Sequence, residues 1–193
     1  MIKALAAWLL VATAAAAPVV GPRDLVQSAV ERVLHALETD DSHLEIRRVA
    51  NELFDFDEIA RRALSRAWTS RTPEEQAEFT RLFTDLLERA YVGRIEAYSG
   101  EKILYAAEQL DGSFATVRSR IITRRNTETP LEYRLHLKNG RWKVYDVLID
   151  NVSFVATYRS EFSRILQRES YAALLDRLRK QSVEGAALTP RGN

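Results

Sequence analysis

The chain has 193 residues, 46% of them hydrophobic and 28% charged, values that describe one domain with an apolar core. Twenty-eight lysines and arginines stand against 27 acids, and Lys3 is the only charge in residues 1–22. A chain processed near that point has no positive excess, which excludes general nucleic-acid binding as its main role, since that needs many phosphate contacts. The absence of cysteine excludes disulfides, thiolate catalysis, cysteine metal sites and lipoprotein anchoring.

In chain order, Lys3 is followed by an apolar run over Ala4–Ala12 and by small residues at Ala14–Ala17. This is the pattern of a secretory signal over residues 1–17, with cleavage near Ala16 or Ala17. The run is too short to cross a bilayer, which takes about 20 residues. An α+β domain is expected over residues 23–183. It begins with a helix whose stripe is Val26, Val30, Val33, Leu34 and Leu37. Ser42 with Glu45, and Asp55 with Glu58, have capping-box spacing and open two more helices. Thr72-Pro73-Glu74-Glu75 opens a long helix ending near Gly100, with Phe79, Leu82, Phe83, Leu86, Leu87, Ala90, Tyr91, Ile95 and Tyr98 on a broad apolar face.

From Glu101 the apolar period changes from 3.6 to 2. Four antiparallel strands are expected: Ile103–Ala107, Phe114–Thr123, Leu131–Lys138 and Arg141–Ile149. Asn139-Gly140 makes the tight hairpin between the last two. The alternation gives the sheet one apolar and one charged face. In the last strand it groups Tyr145, Val147 and Ile149 on the inner face and turns Asp146 outward, toward an arginine of the neighbouring strand. Asn151 is read as the cap of a helix from Val152 to about Gln167, and Ser170 as the cap of a final helix. Residues 184–193 are read as a disordered tail.

Little in the sequence points to catalysis. His35, His43 and His136 have no metal-ligand spacing, and there is no nucleophile elbow, phosphate loop or H-E-x-x-H. Asp146, in an otherwise apolar strand, is the one candidate general base, and it would suit an isomerase or dehydratase on a curved sheet. Arginines gather at Arg61, Arg62, Arg66 and Arg71 and at Arg118, Arg120, Arg124 and Arg125; they make either solvated faces or contacts to anionic head groups or an acidic partner.

The stretch VYDVLIDNVSFVATYRSEF, Val144 to Phe162, resembles the MlaC or toluene-tolerance auxiliary component family of periplasmic proteins, in which a strand ending in Tyr-Asp runs into a Val-Ser helix start. FDFDEIARRAL with Trp68, TPEEQAEFTRLFTDLLERAYVGRIEAYSGEKI and SYAALLDRLRKQ extend the resemblance over about Leu25–Lys180. Asn151 departs from it, standing where relatives usually carry glycine.

The resemblance implies a nuclear transport factor-like fold, a curved four-stranded sheet wrapped on one face by helices. It also implies a periplasmic carrier, not an enzyme, with no cofactor and with phospholipid as cargo. Its partners would be an inner-membrane lipid transporter complex of the ABC type and an outer-membrane lipoprotein–porin complex. A hopanoid carrier of a sister branch, an isomerase on a similar sheet and a cavity-free adaptor are the alternatives. The expected pocket lining is the sheet face (Val117, Ile121, Tyr133, Leu135, Tyr145, Val147, Ile149), opposed by the long helix (Phe83, Leu87, Tyr91) and the helix after the sheet (Val155, Tyr158).

Overall fold

Four of the helices start where a side chain caps their orphan amides. In the computed structural model, which describes residues 20–38, 42–96 and 100–180, α1 (Pro22–Ala36) begins at a proline and buries Val26 and Ala29. Helix α2 (Ser42–Leu53) buries Ile46, Val49 and Leu53. In α3 (Phe56–Leu64) the Asp55 carboxylate accepts from the Glu58 amide at 3.2 Å. After a 3₁₀ turn (Ser65–Ser70), α4 (Pro73–Glu96) opens with the complete capping box: Thr72 Oγ1 accepts from the Glu75 amide and Glu75 accepts from the Thr72 amide. The expected signal peptide, residues 97–99 before the expected helix end near Gly100, and the C-terminal tail lie outside the described residues.

The sheet is an open antiparallel meander in the order β1-β2-β3-β4-β5: β1 (Lys102–Asp111), β2 (Phe114–Ile122), β3 (Glu128–Lys138), β4 (Arg141–Ile149) and the two-residue β5 (Val152–Ser153). Helices α5 (Phe154–Leu166) and α6 (Tyr171–Arg179) follow. The expected α+β class with a curved antiparallel sheet is therefore the one observed, with one short strand added. Asn139 and Gly140 both take positive φ, as a tight primed turn requires. Register shifts between Tyr105 and Glu108 in β1, and opposite Arg134 and Leu135 in β4, place one bulge in each strand.

Pairing assigns the faces. Tyr105 opposes Ser119, Val117 opposes Tyr133, Tyr133 opposes Val147, and Leu131 opposes both Ser119 and Ile149. These residues share one face, and Arg118, Arg120, Glu132, Arg134 and His136 share the other.

Two apolar clusters result. Helices α1 and α2 lay Val26, Ala29, Val49 and Leu53 over Ala115, Val117, Leu135 and Val144. Helices α3 to α6 pack on one another around Phe79, Phe83, Tyr158 and Phe162, with ring centroids 4.9–5.7 Å apart. This second cluster meets the sheet at β4, through α3 and α5.

Candidate functional site

The junction between β4 and α5 is where the sequence pattern was most distinctive, and there the structure shows a buried, hydrogen-bonded lock. Asp146 is 5% exposed. One carboxylate oxygen accepts from the Ser153 hydroxyl at 2.6 Å, the other from the Val155 amide at 3.0 Å. The Ser153 hydroxyl in turn accepts from the Ala156 amide, capping α5. Asp146 also lies 3.8 Å from Arg134 of the neighbouring strand, the expected pairing.

Two expectations are corrected here. Asp146 is buried rather than outward, because α5 folds back over it, and the cap is Ser153 rather than Asn151. Asp150 and Asn151 instead take positive φ in the turn before β5, a conformation that asparagine and aspartate tolerate better than most residues.

A second lock joins α2 and α3 to the sheet. Asp55, also 5% exposed, accepts from Lys138 Nζ at 2.8–2.9 Å and lies 2.9 Å from His136 Nε2. Its own amide donates to the Val144 carbonyl at 2.9 Å. Lys143 Nζ donates to the Glu52 carbonyl at the end of α2. Burial pushes the Asp55 carboxyl up, but Lys138, the Glu58 amide and His136 outweigh it and hold it below the usual carboxylate range.

An open cleft of about 600 Å³ lies beside this lock, walled by Asn51, Phe54, Asp57, Asn139, Arg141 and Lys143 among others. Its charged walls do not suit a hydrocarbon tail. Among the described residues, no three His, Cys, Asp or Glu side chains gather as a metal site, and no helix is long and apolar enough to cross a membrane.

The twelve residues expected to line one pocket fall into distinct settings. Phe83, Leu87, Val155 and Tyr158 belong to the buried helical cluster, separate from the cluster that α1 and α2 make on the sheet. Tyr91 is partly buried against Phe154, at 5.2 Å between ring centroids. Val117 and Leu135 are sealed beneath α1 and α2. Tyr145 is the bulged residue of β4, and the bulge corrects its assignment: its ring packs against His136 and Phe114 beside the charged face, with the Arg62 guanidinium 4.0 Å above it.

Ile121, Tyr133, Val147 and Ile149 remain together on the apolar face. All four are half-buried, as are Ile103 and Tyr105 beside them. The same face is thus closed at one end and half-covered at the other. Tyr105 and Ser119 are not among the expected lining residues, because alternation within a single strand gives neither of them a lateral partner.

Polar groups sit inside this half-covered region. The Ser119 and Tyr105 hydroxyls are fully buried, and among the described residues neither has a partner in good hydrogen-bond geometry. Burial pushes the Tyr133 phenol up to about 12, opposed by the adjacent Ser119 hydroxyl. It pushes the Tyr105 phenol up too, helped by Tyr133 and Glu31. Both phenols are therefore neutral donors near neutral pH.

The comparisons with known proteins bear on the whole domain. The family model described as MlaC protein matches residues 27–180. A relative from Haemophilus influenzae, named as the intermembrane phospholipid transport system binding protein MlaC, is 24% identical over 93% of this chain and 90% of its own length. The toluene tolerance protein ttg2D of Pseudomonas putida is 24% identical over 76% of this chain and 74% of its own. The structure of a phospholipid-binding protein from Ralstonia solanacearum, solved in complex with a phospholipid, superposes with a TM-score of 0.74 at 24% identity. The match covers 83% of this chain and 96% of that one. Matched from the middle of α1 to the end of α6, the chain belongs to the MlaC family.

Proposed function

We propose that this chain is a periplasmic phospholipid carrier. It seats the acyl tails on the half-covered apolar face of the sheet and shuttles lipid between an inner-membrane transporter complex and an outer-membrane complex. The observation that carries the reading is the division of one sheet face into a sealed end and a half-buried end of Ile103, Ile121, Tyr133, Val147 and Ile149, in a family whose named relatives transport or bind phospholipid. Export is supported by the sequence pattern of residues 1–17.

Energetics favour a passive carrier. A two-tailed lipid has on the order of thirty methylenes, and exposing them at roughly 0.8 kcal/mol each costs on the order of 20 kcal/mol. A pocket nearly as apolar as the bilayer makes transfer close to thermoneutral, and direction then comes from the partners. No catalytic group is required. Asp146 and His136, the acids and bases that an isomerase would use, are held in hydrogen bonds and ion pairs beside the charged face.

The test is lipid extraction and native mass spectrometry of the full chain purified from a bacterial host. Bound phospholipid is the expected result. Bound hopanoid would keep the carrier and change its cargo, and a protein that is always empty and takes nothing from vesicles would refute the proposal.

A further inference from the structure

The apolar face contains one feature that hydrocarbon binding alone does not explain. Ser119 is 2% exposed and stands in the middle strand of three, directly across from Tyr105 on β1 and diagonal to Tyr133 on β3. Diagonal partners on one face are within reach of long aromatic side chains. Two of the three hydroxyls are buried with no partner in good hydrogen-bond geometry among the described residues. A core that served only packing would carry Phe and Ala at these positions, because a buried, unsatisfied hydroxyl costs roughly 1–3 kcal/mol.

We infer that Tyr105, Ser119 and Tyr133 are a hydrogen-bond station that receives the ester carbonyls of a diacyl lipid; this rests on the carrier reading above and specifies what the carrier selects. The charge pattern favours an ester over the phosphate. Arg118, Arg120 and Arg134 alternate onto the opposite face, where Glu132 and Glu128 pair them at 3.0–3.1 Å. The station therefore offers neutral donors in apolar surroundings. Such a place accepts a neutral carbonyl and rejects an anion, whose desolvation it could not offset. It also sets acyl esters apart from polycyclic hydrocarbons, which have no carbonyl to offer.

The experiment offers the delipidated full chain an equimolar mixture of two phosphatidylglycerols of equal chain length, one ester-linked and one ether-linked, and counts the retained lipid by native mass spectrometry. The wild-type chain should favour the ester by about 2- to 12-fold for each hydroxyl engaged, the range that one net hydrogen bond gives. Ser119→Ala and Tyr105→Phe should each reduce the preference, and the double variant should reduce it further, leaving only what the Tyr133 phenol supplies. Equal retention of both lipids by wild type, as when only water meets the hydroxyls, overturns the inference. An unchanged preference in the folded double variant does so too, and if that variant does not fold, Ser119→Ala alone decides. Uptake of neither lipid refutes the carrier reading itself.

Discussion

The helical cluster and the sheet face are both apolar, yet they are built differently. Around Phe79, Phe83, Tyr158 and Phe162 the rings meet edge to face and leave the side chains 0–3% exposed. On the sheet, α1 and α2 cover Val117, Leu135 and Val144 and leave Ile121, Tyr133, Val147 and Ile149 half-buried. Closed packing gives the first region rigidity, and incomplete cover gives the second room for something else. Apolar composition alone does not mark a binding site; apolar surface that its own chain leaves half-covered does.

Four substitutions probe that difference. The largest effect is expected from Phe83→Ala, which empties the aromatic cluster and should cost about 3–5 kcal/mol, on the order of 10 °C in melting temperature. Calorimetry measures it, and lipid bound per folded molecule should not change. Loss of lipid from a still-folded variant would mean that the two regions are one.

Asp55→Asn keeps a capping side chain but removes the charge facing Lys138 and His136, for an expected loss of about 1–3 kcal/mol. The sign with pH follows from the lowered Asp55 pKa. Its contribution is complete above the unfolded value near 4 and is lost as the pH falls through the lower folded value. Urea unfolding at a series of pH values should therefore show a weaker acid dependence in the variant.

Val147→Glu should cost less, about 1 kcal/mol in the empty protein, because the side chain is half-exposed and its carboxylate can stay wet. A bound tail would have to dehydrate that charge, so lipid retention should be lost. If retention persists, the seat lies elsewhere. The smallest effect belongs to Arg62→Ala, on the other side of the sheet. Losing its contact with Tyr145 should cost no more than about 1 kcal/mol and leave lipid binding untouched.

Much of this architecture is written locally. The Thr72–Glu75 box, the Asn139-Gly140 turn and the clean alternation of Leu131–Lys138 each need only a few neighbouring residues. The sequence accordingly determined the order of elements, the apolar and charged faces of β3 and the family.

Tertiary structure decided what depends on distant pairings. A bulge in β4 carried Tyr145 to the side opposite Val147, since one extra residue reverses every assignment made by a period of two. The return of α5 buried Asp146 and made it the acceptor for Ser153 and Val155, so the Tyr-Asp and Val-Ser pairs turned out to be two halves of one lock. Lateral register brought Tyr105, Ser119 and Tyr133 together from three strands. Side chains that meet across a sheet leave no periodic mark in any one strand, so the feature that distinguishes this site from an ordinary core became visible only when the strands were set side by side.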